Sequence, residues 1–135
     1  MLVDTGVLLA AISPRDRRNA QCAQLLADSK VPLMTTLPVL TELVYFIQGN
    51  QRLTDLAWRY FESDVIEIAA ITDLDLPAIQ RLMTRYADRP MDFADATLVH
   101  VAGRESIADI LTIDHDDFET YRFGRNRKFR IWPAR

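Results

Sequence analysis

The strongest constraint on how this chain can fold is an acid in apolar company. Asp95 stands in the run Met91-Asp92-Phe93-Ala94-Asp95-Ala96-Thr97-Leu98-Val99, which reads as a buried helix opened by two carboxylates three residues apart. Acidic side chains are seldom fully buried unless something pairs with them, and an unpaired one is costly. A fold available to this sequence therefore has to bring partners to that helix. Other acids sit where the apolar pattern says buried segments begin or end: Asp4 after Leu2-Val3, Glu42 inside Val39-Leu40-Thr41-Glu42-Leu43-Val44, and Asp114 after Ile110-Leu111-Thr112-Ile113. The expectation is that these four segments converge and that Asp4, Glu42, Asp95 and Asp114 hold a divalent metal.

The rest of the pattern predicts an α/β architecture. Leu2-Val3-Asp4, Leu33 to Thr36, Val65 to Ile68 and Ile107 to Ile113 read as strands, and Phe129 to Trp132 as a strand closing the sheet. Thr5-Gly6 reads as a tight exit before a helical turn through Val7-Leu8-Leu9. Helices are predicted from about Asp16 to Ser29, with Ala20, Ala23 and Ala27 on one face, and from Pro38 to Gly49. Asn50 caps the next, carrying Leu53, Leu56, Ala57, Tyr60 and Phe61. Thr72 with Asp75 resembles a capping box ahead of Leu76, Ile79, Leu82, Met83 and Tyr86. A helix from Asp92 to about Glu105 and a helical turn from Asp116 to Tyr121 complete the set. Strands alternating with helices indicate a mostly parallel sheet, whose ligands bind beyond the carboxyl ends of the strands, where Asp4 and Asp114 fall.

At 135 residues the chain is the usual size of one domain, and residues 1–135 are read as one. The formal net charge of -3 does not suggest a polyanionic partner, so any nucleic-acid binding must rest on local charge. From Tyr121 onward there are six cations (Arg122, Arg125, Arg127, Lys128, Arg130, Arg135) and no acid, interleaved with Tyr121, Phe123, Phe129 and Trp132. That tract either contacts phosphates and stacks bases or is a solvated charge run, and the two readings stand equal. The single Cys22 excludes an internal disulfide and fits a reducing cytosol. The apolar run Val7 to Ile12 is too short for a membrane span and follows Asp4, where a signal peptide carries positive charge, so a soluble, untargeted protein is expected. His100 and His115 lack metal-site spacing, and neither a Gly-rich phosphate loop nor a G-x-S-x-G elbow is present.

Carboxylates with water and phosphate oxygens are what Mg2+ and Mn2+ prefer. Each acid also has a plainer reading. Asp4 would form a turn at a strand end, and Glu42 would snorkel from an apolar helix. Asp92 is preferred as the N-cap of its helix, and Asp116 and Asp117 as caps of the short helix after Asp114. Asp95 is the hardest to explain without a ligand.

Leu2-Val3-Asp4-Thr5-Gly6, Thr41-Glu42-Leu43, the Met91 to Val99 run, and Leu111-Thr112-Ile113-Asp114 with Asp117-Phe118 resemble the PIN domain in order and spacing, over essentially the whole chain. More narrowly they resemble the VapC-type toxins of bacterial toxin-antitoxin pairs. The resemblance implies a three-layer α/β/α sandwich around a mostly parallel sheet of four to five strands. It implies a cytoplasmic Mg2+- or Mn2+-dependent endoribonuclease, a homodimer, neutralised by a small cognate antitoxin whose tail enters the acidic groove. By position, Asp4, Glu42, Asp95 and Asp114 are the catalytic acids. Asp4 and Asp95 are the direct metal ligands, with Glu42, Asp92, Asp114 and Asp117 as further candidates. Thr112 matches the family's small hydroxyl residue, and Thr5 is placed to orient Asp4. Asp92, Asp116 and Asp117 crowd the pattern and leave the fourth acid open.

Other readings separate on residues. A phosphatase of the haloacid-dehalogenase type needs a second Asp two positions after Asp4, where this chain has Gly6. A receiver domain needs a phosphoacceptor Asp after a middle strand, and Ile68-Ala69-Ala70 offers none. A catalytically inert RNA- or protein-binding module would have an incomplete acidic set. A housekeeping RNA-processing nuclease would share the chemistry and differ in setting.

Overall fold

A computed structural model describes residues 1–62 and 64–135. In chain order the elements are β1 (Leu2–Val3), α1 (Thr5–Ile12), α2 (Asn19–Ala27), β2 (Leu33–Thr36), α3 (Leu37–Ile47), α4 (Gln51–Glu62) and β3 (Ile66–Ala69). There follow α5 (Leu76–Arg85), α6 (Phe93–Glu105), β4 (Asp109–Leu111), α7 (His115–Thr120), β5 (Arg122–Phe123), β6 (Arg127–Lys128) and β7 (Arg130–Trp132). A single 3-10 turn over Asp73–Asp75 precedes α5, opened by the expected Thr72 and Asp75 capping box.

Five strands form one sheet in the order β3-β2-β1-β4-β7, every pair parallel, with helices flanking it in an α/β/α arrangement. Leu2 and Val3 in the central strand are wholly buried, as expected where a parallel sheet is covered on both faces. From β1 the chain moves outward through β2 to β3, then returns to the opposite side of β1 as β4. Strand order thus reverses between β1 and β4, and the crevice at such a switch point is where open parallel sheets bind ligands.

Several local expectations are revised. α2 begins at Asn19, because Asp16 Oδ1 accepts from Arg18 N at 2.7 Å and Asn19 Nδ2 bonds the Ala10 and Ala11 carbonyls, both at 2.9 Å. Its buried residues are Cys22 and Leu26, one turn apart, and the face holding Ala20 and Ala27 is exposed. Leu76 is also exposed, leaving Ile79 as the buried residue of α5. Thr5 and Gly6 do not form a turn: they lie in the first turn of α1, capped by Asp4. β4 spans three residues, since Thr112 and Ile113 already lead into the site. β5 and β6 form a small antiparallel hairpin that the apolar pattern did not reveal. Among the described residues no helix is long and apolar enough to cross a membrane.

Candidate active site

Glu42 projects from the middle of α3, and the other acids are delivered by the ends of elements. Asp4 follows β1 and caps α1, its Oδ1 accepting from Thr5 N at 2.8 Å. Its backbone N–H bonds Leu111 O at 2.9 Å, which ties it to β4. Thr112, wholly buried just beyond β4, donates from Oγ1 to Asp4 Oδ2 at 2.8 Å and accepts from Asp114 N at 3.0 Å. Asp92 is the N-cap of α6, with Oδ1 accepting from Asp95 N at 2.8 Å, so the capping reading holds. The cap of α7 is Asp114, accepting from Asp117 N at 3.4 Å, and Asp116 and Asp117 lie in the first turn instead.

The turn carrying Asp95 is pinned from the sheet. Thr97 Oγ1 donates to Ala94 O at 2.7 Å, so its proton is committed. Thr36 Oγ1, 2.8 Å away, must then be the donor to Thr97. Both threonines are wholly buried, and the pair fastens α6 to the end of β2.

Asp4, Glu42, Asp92, Asp95, Asp114 and Asp117 line a single cleft of about 290 Å³ at the switch point. All four acids of the expected set therefore meet there, joined by two of the further candidates. Asp116 does not: its side chain is 81% exposed and pairs with Arg135. Asp117 sits at the rim, held by Arg89 Nη1 at 2.7 Å. His100 is occupied elsewhere, 2.8 Å from Asp75 Oδ1.

Crowded acids resist ionisation. Burial pushes Asp4 up to about 6, aided by the charges of Glu42 and Asp92, while the bonds from Thr112 and Thr5 pull it down. Burial, then the charges of Asp4, Asp92 and Asp114, push Asp95 up to about 8, and only the Tyr121 hydroxyl, donating at 3.3 Å, opposes this. Asp114 is raised as well, by burial first. Tyr121 itself is held protonated by burial and by the Asp95 charge, so it stays a donor.

The donor set is all oxygen and negative, which suits a hard divalent cation. Thr5 Oγ1 adds an acceptor to the cleft wall, buried and without a partner among the described residues. No three His, Cys, Asp or Glu side chains among the described residues close on one point as a finished metal cage. Mg2+ commonly takes one or two carboxylates and keeps water and phosphate oxygens for the rest of its shell, so an open cleft of this kind fits it.

Beside the cleft, Pro38, Thr41, Glu42, Tyr45, Asp92 and Phe93 line a shallower groove. Tyr45, Phe46 and Phe93 are 66%, 58% and 42% exposed. The signal for them was in the sequence: the buried stripe of α3 is Val39, Leu43 and Ile47, and Tyr45 and Phe46 fall off it. Three of the four C-terminal aromatics are the reverse case. Tyr121 and Phe123 are buried and Phe129 half-buried, in a cluster of ring contacts with Tyr86 and Phe118, so they serve the core; Trp132 is 43% exposed, its Nε1 donating to Asp109 Oδ1 at 3.2 Å.

Comparison with known proteins agrees with this architecture. The chain is 27% identical over 135 residues to Ribonuclease VapC26 of Mycobacterium tuberculosis, covering 98% of this chain and all of that protein. The crystal structure of Mycobacterium tuberculosis VapC20, described as a sarcin-ricin loop cleaving toxin, shares the fold with a TM-score of 0.75 at 22% identity, over 85% of this chain and 90% of that one. The PIN domain family model matches residues 1–124, a span that takes in every acid of the cleft, and the chain belongs to the PIN domain family.

Proposed function

We propose that this protein is a VapC-type endoribonuclease, the toxin of a toxin-antitoxin pair, which hydrolyses RNA phosphodiester bonds with the help of Mg2+ or Mn2+. The observation that carries the reading is the gathering of Asp4, Glu42, Asp95 and Asp114, from four separated segments, into one cleft at the switch point of the sheet. Similarity to Ribonuclease VapC26 supports it. A cation bound there supplies charge neutralisation at the scissile phosphate and acidifies water.

In this reading Asp4 and Asp95 hold the cation, and Glu42 and Asp114 orient water beside it. Thr112 and the Thr5 amide fix the Asp4 carboxylate, so that little reorganisation is left for the moment of reaction. Tyr121 does the same for Asp95. Thr5 Oγ1 is available to an oxygen entering the cleft. Exposed Tyr45, Phe46 and Phe93 give unstacked bases a surface beside it, the mode by which single-stranded RNA is usually read. The partners are a single-stranded RNA, a small antitoxin and a second copy of the chain, in the cytoplasm.

Asp95→Asn removes one anionic ligand with little change of volume. It is expected to abolish Mg2+-dependent cleavage of RNA while circular dichroism shows the fold intact; cleavage at the parent's rate would reject the assignment. Growth arrest on induction in a bacterial host, relieved by the neighbouring small gene, would distinguish a toxin from a housekeeping nuclease.

A further inference from the structure

A second cavity, of about 460 Å³, lies between α5, α6 and β5, and its charge is opposite to that of the cleft. Arg81, Arg85, Arg104 and Arg122 line it together with His100, and no carboxylate does among the described residues. Two of the arginines are anchored. Arg104 Nη1 donates to Ala70 O at 2.7 Å, and Arg122 Nη1 to the carbonyls of Glu119, Thr120 and Tyr121 at 2.7, 3.0 and 2.9 Å. Those carbonyls fix the guanidiniums without cancelling their charge. Two acids outside the lining answer them: Asp75, bonded to His100 at 2.8 Å and to Arg104 at 3.4 Å, and Glu105, which accepts from Arg104 Nε at 3.0 Å.

Arg81 and Arg85 have no such anchor. They stand four residues apart on α5, a spacing at which like charges repel, and neither forms a hydrogen bond or ion pair among the described residues. Arg85 is favoured by its place in the last turn, near the negative end of the helix; Arg81 has no comparable compensation. Planar guanidiniums directed into one cavity are suited to phosphate oxygens, which they bind in pairs of hydrogen bonds.

α6 links this cavity to the cleft. Val99 and Gly103 in the cavity wall follow Asp95 at i+4 and i+8, on the same helix face. At about 1.5 Å per residue the cavity begins about 6 Å from Asp95 along the helix axis and extends to about 13 Å. Successive phosphates of one strand advance by about 3.4 Å along a duplex axis, so a strand held at the cleft reaches the cavity within a few nucleotides.

We propose that the Arg81, Arg85, Arg104 and Arg122 cavity binds backbone phosphates of the RNA strand to one side of the bond that is cut. The inference rests on the ribonuclease reading but is tested separately from it. A fluorescein-labelled oligouridylate is titrated, in EDTA and again in Ca2+, with the parent, R81A/R85A, R81K/R85K and R15A/R17A over a range of salt. The last pair removes the same charge from the segment between α1 and α2, which lines neither the cleft nor the arginine cavity. R81A/R85A is expected to weaken binding at least several-fold and to reduce the slope of log affinity against log salt by about 1.4, for two contacts of about 0.7 each on a single strand. R81K/R85K should recover most of the slope, and R15A/R17A should leave it unchanged. An unchanged slope in R81A/R85A, an equal loss in R15A/R17A, or no binding by the parent overturns the inference. Failure of the nuclease reading shows differently, as binding with the predicted slopes but no RNA cleavage by the parent in Mg2+.

Discussion

Thr112 Oγ1 and Asp4 Oδ2 lie 2.8 Å apart, a hydroxyl donating to a carboxylate across 108 residues of sequence. The same hydroxyl accepts from Asp114 N, so one side chain sets two acids that lie just beyond the ends of neighbouring strands. Thr112→Val keeps the shape and removes both bonds. A hydrogen bond to a charged group contributes about 1.5–3 kcal/mol, and a loss of that size is expected in urea unfolding, together with a large drop in cleavage. Thr112→Ser should restore most of both.

Stability of the metal-free protein should fall as pH rises from about 4 to 8. Asp4, raised to about 6, and Asp95, raised to about 8, keep protons in the folded state that the unfolded chain has already released. Folded protein binds more protons across that window, so each step up in pH disfavours it. Below it the sign reverses, because Asp75 and Asp109, each lowered to about 2 by its hydrogen bonds, stabilise the fold above the ordinary carboxylate range and stop doing so as they protonate. Thermal melts from pH 3 to 8 should therefore pass through a maximum near the bottom of the 4 to 8 window. Mg2+ or Mn2+ should raise the midpoint more at pH 8 than at pH 5, since the cation replaces those protons. Equal shifts at both values would contradict the account.

Tyr121 connects the core to the cleft. Its ring meets Phe118 at 5.3 Å and Tyr86 at 5.0 Å, and its hydroxyl reaches Asp95. Phe118→Ala, at a wholly buried site, should cost about 3–5 kcal/mol and reduce cleavage by loosening Tyr121. Tyr121→Phe separates the two roles: stability changes by about 1 kcal/mol or less, while cleavage falls and its pH dependence moves upward as Asp95 loses its donor.

Gly6 owes its place to a close approach. A Cβ there would fall 2.8 Å from Ile113 Cγ1, beside Asp114. Replacing glycine in a helix by alanine ordinarily gains about 1 kcal/mol. Here displacement of a side chain should outweigh that, at about 1–3 kcal/mol. Gly6→Ala is expected to lower the unfolding midpoint and to depress cleavage more than stability alone explains, by moving the segment that carries Asp114.

The meeting of the acids was legible because burial and charge conflict in the sequence itself: Asp95 among apolar residues and Asp4 at a strand end each required company. The central strand positions were legible for the same reason, since buried parallel strands are short apolar runs such as Leu2-Val3 and Ile110-Leu111, whereas Arg122–Phe123 and Arg127–Lys128 offer no such run. Capping was harder to read. Asp114, Asp116 and Asp117 are each good caps, and only the backbone decides that Asp114 takes the role. The arginine cavity was hidden because its members come from α5, α6 and β5, and a net charge of -3 conceals a local concentration of cations. Tyr121, Phe123 and Phe129 looked as available to a ligand as the exposed Trp132 because composition does not report which way a ring faces.

The central strand acquires its second neighbour late. β1 is made first, but β4 and the Thr112 that grips Asp4 come from the last quarter of the chain. While the ribosome is still extending the polypeptide, Asp4 has neither that hydroxyl nor Asp114 beside it. An acidic cleft built this way is incomplete in any N-terminal fragment that stops short of β4, so Asp4 gains its partners only once that strand has docked beside β1.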